Sequence, residues 1–227
     1  MSIRSILPAI ALAILPSCSD PRNTAPTDTT GKASIRLANA IDAPLDLRQD
    51  DAIVSGGAGL GFGGMSPCTT VSTAAPGLVV AKVGTTANLA GFDPSFDAGK
   101  SYTLVAFPGG GSATSFAMLL NAFTPSTGAA GFRVFNATSE PTALDAFVTT
   151  PNAPLVTPTT SKTAAGTASA LVNASAGTRQ IRVTSTGTHT VVLDAGSRNL
   201  AARTNYTLVV APPASGTALR AFLVAGC

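Results

Sequence analysis

Few residues of this 227-residue chain have the types and spacing that catalysis needs. A serine hydrolase uses a histidine as its general base and usually presents its nucleophile in a G-x-S-x-G turn. The chain has one histidine, His189, placed just before a predicted strand, and it has no such turn. We therefore predict a protein without catalytic residues, which is not an enzyme.

Cofactor and metal motifs are equally weak. Residues 59–64 read Gly-Leu-Gly-Phe-Gly-Gly and match G-x-G-x-x-G, but Pro67 and β-forming residues follow where a dinucleotide site needs a helix. Asp42, Asp46 and two neighbouring aspartates lie close together, yet the D-x-D-x-D spacing of a calcium loop is missing. One histidine and well-separated cysteines cannot supply a zinc site. The sequence predicts no cofactor and no metal.

The first cysteine follows an apolar N-terminal segment. Arg4 precedes a run from Ile6 to Leu15 without a polar side chain, which is typical of a secretory signal and too short to span a membrane. Leu15-Pro16-Ser17-Cys18 resembles the bacterial lipobox. The resemblance implies cleavage after Ser17 and acylation of Cys18, so that several chains such as palmitate anchor the protein in a membrane. The alternative is an ordinary signal peptide with an incidental cysteine.

The segment after Cys18 is a tether in this interpretation. Residues 18–32 offer no large apolar side chain to bury, so we expect a flexible chain there. The expected location is the bacterial cell envelope, in the outer membrane, facing the periplasm or the medium. The membrane is an expected partner through the lipid anchor on Cys18. The net charge of +3 includes no basic cluster, so nucleic acid is not an expected partner.

Cys68 and Cys227 remain once Cys18 is acylated. Disulfides persist outside the cytoplasm, so we expect these two thiols to pair. The bridge would close most of the mature chain into a loop and contribute about 4–5 kcal/mol on the chain-entropy model. The alternative is that Cys68 is a small buried residue and Cys227 an exposed thiol.

The elements that would position these residues occur twice. Residues 33–40 (ASIRLANA) recur as residues 130–137 (AGFRVFNA), at an offset of 97. The pair Leu45-Asp46 recurs as Leu144-Asp145, and the four residues that start at Tyr102 recur at Tyr206 with an offset of 104. The offset grows along the chain, as it does when loops collect insertions. We therefore predict an internal repeat.

Each repeat has an apolar period of two, which indicates β-strands. With 22 glycines, 16 prolines and 11% charged residues, the composition also favours short strands and turns over helices. We predict an all-β protein of two tandem antiparallel β-sandwich, immunoglobulin-like domains. The predicted parts are a signal peptide at 1–17, the lipidated cysteine and tether at 18–32, and β-sandwich repeats at 33–127 and 128–227. After the opening strands, the predicted strands are residues 45–48, 78–83, 101–107, 116–120, 144–149, 179–184, 190–193, 205–211 and 219–224.

Tyr102 and Tyr206 are the only tyrosines, and each lies near the start of a late strand. The turn from Asp97 to Ser101 looks like the approach to a tyrosine corner, in which the phenol hydroxyl bonds to the backbone upstream. We predict this structural role for both tyrosines. The alternative is a half-buried strand tyrosine.

The repeated strand motifs resemble a known bacterial family. An opening strand with Arg and Asn-Ala, a Leu-Asp strand and a late Gly-x-x-Tyr-Thr-Leu-Val strand are similar to the domain of unknown function numbered 4397, over residues 33 to about 227. The second repeat departs from this pattern at Phe132 and lacks the glycine before Tyr206. The resemblance implies a secreted or lipid-anchored envelope protein, and it offers no catalytic residues to assign.

These observations predict a non-catalytic, lipid-anchored envelope protein with a structural, adhesive or ligand-binding role and a protein or glycan partner. The alternative is an accessory carbohydrate-binding module or subunit of a polysaccharide-handling envelope system. Carbohydrate sites usually expose flat aromatic rings, and this chain has no tryptophan.

Overall fold

The computed structural model describes residues 31–74, 77–89, 92–111, 113–138, 143–215 and 217–227. All named elements in these residues are β-strands, which confirms the all-β class. This part of the chain contains no helix that could cross a membrane. The predicted signal peptide, most of the tether and the lipidated Cys18 lie outside the described residues.

The first unit consists of two sheets. Their strands are β1 (Lys32–Asn39), β2 (Leu45–Gln49), β3 (Ala52–Ile53), β4 (Thr69–Ser72), β5 (Leu78–Lys82), β6 (Ser101–Pro108) and β7 (Thr114–Leu120). One sheet has the order β4-β1-β6-β7 and the other has the order β3-β2-β5. The sheets face each other across a core that includes Ile35, Leu37, Leu47, Val80 and Leu104.

The second unit repeats this plan with one more strand among the described residues. Its strands are β8 (Ala129–Asn136), β9 (Leu144–Thr149), β10 (Thr160–Thr163), β11 (Val172–Ser175), β12 (Gly177–Ser185), β13 (Val191–Leu200), β14 (Asn205–Ala211) and β15 (Arg220–Ala225). The sheet orders are β11-β8-β14-β15 and β10-β9-β12-β13. Phe132, Val134, Ile181, Leu208 and Val210 lie in the core between them. The β-sandwich prediction is confirmed.

One strand pair in each unit departs from the predicted antiparallel arrangement. β1 and β6 pair parallel, with Ile35 beside Tyr102, and β8 and β14 pair parallel, with Phe132 beside Tyr206. The remaining pairs among the named strands are antiparallel. The parallel pairs arise because the chain passes through the other sheet before it returns beside its opening strand, so a long crossover joins the two strands instead of a hairpin.

The two units pack together through the sheets that contain β1 and β8. A third core cluster combines side chains of both, among them Ala38, Val105, Phe135, Val209 and Val224. The molecule is therefore built of four layers of sheet, and the central strands of its two middle layers are covered on both faces. Every residue of β8 and all but the first two residues of β14 are accordingly buried, since these strands have no solvent-facing side.

Candidate functional site

The predicted disulfide between Cys68 and Cys227 is present. The two Cα atoms lie 5.6 Å apart, although the residues are 159 positions apart in the chain. Cys68 directly precedes β4 of the first unit and Cys227 follows β15 of the second. The Ser101 hydroxyl also donates to the Cys227 carbonyl at 3.1 Å, beside the start of β6. The bridge thus ties the two units together at the end of the molecule where β1 and β6 begin.

Both tyrosines hold the turn that precedes their strand. The Tyr102 hydroxyl accepts a hydrogen bond from the backbone N–H of Asp97 at 3.1 Å and donates to the Asp97 carboxylate at 3.2 Å. The Tyr206 hydroxyl accepts from the backbone N–H of Ala201 at 3.0 Å. Each donor lies five residues upstream, which is the contact expected of a tyrosine corner.

The aspartates of the repeated Leu-Asp pairs hold loops from inside the fold. Asp46 accepts from the Gly59 N–H at 2.8 Å. Asp145 accepts from the backbone N–H groups of Lys162 at 2.7 Å and Gly187 at 2.9 Å, and from the Thr186 hydroxyl at 2.9 Å. Burial alone would raise the pKa of Asp145, but these hydrogen bonds to the carboxylate lower it below its ordinary value. The role of this buried carboxylate is therefore structural.

The glycine-rich segment at 59–64 runs beside the end of β1. The Asn39 side chain donates to the Leu60 carbonyl at 2.7 Å, and the Gly63 N–H donates to the Asn39 carbonyl at 2.8 Å. In the second unit the Gly166 N–H donates to the Asn136 carbonyl at 2.7 Å. Gly63 and Gly166 both have positive φ, 74° and 70°. Both units therefore have an equivalent connection beside the end of their opening strand.

The aspartates and the histidine that were considered as metal ligands or catalytic groups lie apart from one another. No group of three or more metal-ligating side chains occurs in the described residues. Asp50 and Asp51 lie between β2 and β3 with φ of 48° and 64°, away from Asp42, which pairs with Arg220 of the second unit. His189 packs beside Phe147, with ring centroids 5.9 Å apart.

Two arginines at matching repeat positions cross the boundary between the units, a role that the strand pattern of the sequence does not indicate. Arg36 Nη1 donates to the Ala225 carbonyl at 2.6 Å, and Arg133 Nη1 donates to the Leu120 carbonyl at 2.8 Å. Leu120 and Ala225 are themselves matching positions, because each lies opposite the tyrosine of its unit. The interface therefore has approximate two-fold symmetry, like that of a homodimer.

Arg133 is the more deeply buried of the two arginines, at 5% exposure. Its Nε donates to the Thr207 hydroxyl at 2.8 Å and its Nη2 donates to the Asn121 side-chain oxygen at 2.7 Å. Burial lowers the pKa of Arg133 to about 10, so the guanidinium stays charged at neutral pH. Its hydrogen-bond partners in the described residues are uncharged oxygens, which makes it a positioning group for the interface.

A cleft of about 240 Å³ opens where the two units meet. Asp42, Lys82 and Pro108 line it from the first unit, and Pro212 and Arg220 line it from the second. Arg220 Nη1 lies 2.7 Å from the Asp42 carboxylate. The cleft follows the ends of β1, β6 and β14, so it lies opposite the end that carries the disulfide.

The cleft is the candidate binding site because charged side chains of both repeats meet there on a concave surface. The Arg220 guanidinium is held 3.7 Å from the centroid of the Phe62 ring and donates through Nε to the Pro212 carbonyl at 3.0 Å. It is thereby fixed in place before any ligand arrives. With the Asp42 carboxylate and the Lys82 ammonium, it offers donors and acceptors to a small polar ligand.

No protein-family model and no curated protein matches the chain. Among solved structures, the chain is similar to the C-terminal domain of AlgF from P. aeruginosa, with 18% sequence identity and a TM-score of 0.33. The match covers 43% of this chain and 98% of that domain.

Proposed function

We propose that this protein is a non-catalytic, lipid-anchored protein of the bacterial cell envelope with a structural, adhesive or ligand-binding role. The Cys68–Cys227 disulfide carries the proposal, because such bonds persist outside the cytoplasm and are rare inside it. The lipobox-like sequence that ends at Cys18 supports anchoring through a lipid on that residue.

The direction of the strands supports a ligand-binding role for the cleft. The chain reaches the fold at Lys32, where β1 begins, and the cleft follows the other end of β1, around Asp42. A lipid on Cys18 would connect to the fold through the flexible tether at the Lys32 end. The cleft would then lie at the end of β1 away from this attachment, where a ligand can reach it.

We also propose that each unit is a member of the family of unknown function numbered 4397. Its support is that the repeated motif residues occupy matching places and make matching contacts in both units. These pairs are Arg36 and Arg133, Asn39 and Asn136, Asp46 and Asp145, and Tyr102 and Tyr206.

Labelling with a palmitate analogue tests the anchor. We expect the full chain, expressed in a bacterium, to incorporate the label and to partition into the detergent phase. Cys18→Ser should abolish both properties, because it removes the acylated thiol. Cys68→Ser is the matched control and should keep both. A wild-type chain without label would contradict the proposed anchor.

A glycan-array screen tests the binding role, with the fragment that begins at Thr24 and contains all described residues. Binding that is lost in Lys82→Ala, and kept in the control Lys162→Ala, would assign the ligand site to the cleft and favour the carbohydrate-binding alternative. Binding unaffected by Lys82→Ala would contradict the cleft as its site. Turnover of a glycan by the fragment would contradict a non-catalytic protein.

A further inference from the structure

The outer edge of β7 lacks the features that usually protect a free strand. β7 has the sequence TSFAMLL, without charge or proline, and it is the last strand of its sheet. Met118 is 44% exposed and Leu120 is 42% exposed. Free edges are normally kept short, charged, bulged or covered, because an open edge pairs readily with another strand.

The other sheet edges of the described structure each have such a feature. β3, β4 and β11 are four residues long at most. β10 contains Lys162 and a register shift, β13 contains Asp194, and β15 begins with Arg220. The edge of β5 is covered, since residues 88–89 bond to both backbone groups of Val80. The seven-residue β7 is thus the unprotected edge of the described structure.

The second unit shows how the matching strand is covered. Leu223 of β15 matches Met118, because each lies opposite the corresponding leucine of the neighbouring strand, Leu208 or Leu104. Leu223 packs on a core cluster that also receives Leu193 of β13. The facing sheet of the first unit has three strands in the described residues and no counterpart of β13, so Met118 stays exposed.

The backbone of β7 also determines what kind of group can bind there. The Asn121 N–H donates to the Ser101 carbonyl at 2.8 Å, which makes this a hydrogen-bonded pair of the β6–β7 ladder. Because such pairs alternate in antiparallel strands, the N–H and C=O groups of Phe116 and Met118 point away from β6. A row of such groups is satisfied by another β-strand.

We propose that this strand is β7 of a second copy of the protein, paired antiparallel. When the pairing is centred on Ala117, Phe116 of one copy lies opposite Met118 of the other on the same face. No charged side chain then lies opposite another, whereas β15 would bring its Arg220 into such a pairing. Cross-strand pairs of large apolar residues stabilise a ladder, so β7 is complementary to itself.

Sedimentation analysis of the fragment that begins at Thr24, from about 1 to about 200 µM, tests this proposal. We expect a reversible dimer. Met118→Lys should raise its dissociation constant by about tenfold or more, because it places a charge on the pairing edge. Val192→Lys is the matched control, since Val192 is 40% exposed on the charged edge strand β13, and it should leave the dimer unchanged.

A wild-type fragment that stays monomeric over this range would overturn the proposal, and so would a dimer that both lysine variants weaken equally. Thermal melts show whether the variants fold. If Met118→Lys does not, amide hydrogen exchange of the wild type decides instead. In a dimer, the amides of Phe116 and Met118 must exchange more slowly at high protein concentration. Exchange rates that do not depend on concentration would also overturn the proposal.

Discussion

Removal of the Cys68–Cys227 bridge should lower stability mainly through the unfolded chain. The bond joins residues 159 positions apart. On the chain-entropy model, a loop of this length removes unfolded-state entropy worth about 5 kcal/mol at 25 °C. That is comparable to the whole free energy of unfolding of a marginally stable domain, roughly 5–15 kcal/mol.

The native contacts around the bridge do not depend on the bond itself. The Gly226 N–H donates to the Asn205 carbonyl at 2.7 Å, and the Ser101 hydroxyl donates to the Cys227 carbonyl at 3.1 Å. The third core cluster also holds the two units together. We therefore expect the double variant Cys68→Ser/Cys227→Ser to fold to the same structure, with the same far-UV circular dichroism spectrum.

Guanidinium denaturation of the fragment that begins at Thr24 measures the effect. The double serine variant should lose about 3–5 kcal/mol of unfolding free energy relative to the oxidised protein. A reductant should produce the same loss in the wild type and no change in the variant, which separates the bond from the substitutions. A loss below about 1 kcal/mol would refute the entropy argument, because the bridge would then constrain little of the unfolded chain.

Three further predictions concern contacts within the units. Tyr102→Phe and Tyr206→Phe should each cost about 1 kcal/mol in chemical denaturation, and no change would mean that the hydroxyl contact does not stabilise its turn. Leu104→Ala and Leu208→Ala should each cost about 2–5 kcal/mol, because both side chains are buried in their cores; unchanged melting at both would contradict that packing. Asp145→Asn should flatten the acid side of the stability curve. The pKa of Asp145 is lowered in the folded state, so its stabilisation is complete above the unfolded pKa and is lost as the pH falls through the folded pKa. Denaturation across a pH series measures this, and equal pH slopes in variant and wild type would count against it.

The sequence predicted the long strands well because their apolar period reflects the cores directly. The predicted strands at 144–149 and 205–211 match β9 and β14 residue for residue. β13 is longer than the predicted 190–193, because it continues to Leu200 past Gly196, a residue with positive φ. Such a glycine ordinarily marks a turn in a sequence, and here it lies inside a strand whose register shifts.

Four short strands escaped prediction because their neighbours, rather than their own residues, hold them. β3, β4, β10 and β11 have two to four residues and consist largely of small or polar side chains. The connections that run beside β1 and β8 could not be matched to each other from the sequence either. Ser66 and Ser169 both accept a hydrogen bond from the opening strand, at 2.9 Å and 3.0 Å, although the surrounding sequences differ. Only the strand pairing in the structure aligns these two segments.

The interface between the units could not be predicted, because a period of two shows which residues share a face and not what covers that face. The period of two places Arg36 on the strand face opposite Ile35, which predicts a side chain in solvent. Arg36 and Arg133 instead contact the other repeat. The two arginines occupy matching positions in the repeat. That match predicts matching contacts across the interface only when the two sheets are already known to face each other.

The two halves of this interface are unequal, and the disulfide lies on the weaker one. Arg133 reaches the Asn121 side chain, whereas the position that matches Asn121 is Gly226, which has no side chain to accept from Arg36. Arg36 Nε also has no hydrogen-bond partner among the described residues, whereas the Arg133 Nε donates to the Thr207 hydroxyl. Cys227 follows Gly226 directly and carries the bridge to the first unit. The covalent bond thus lies on the half of the interface where the repeated arginine has fewer contacts.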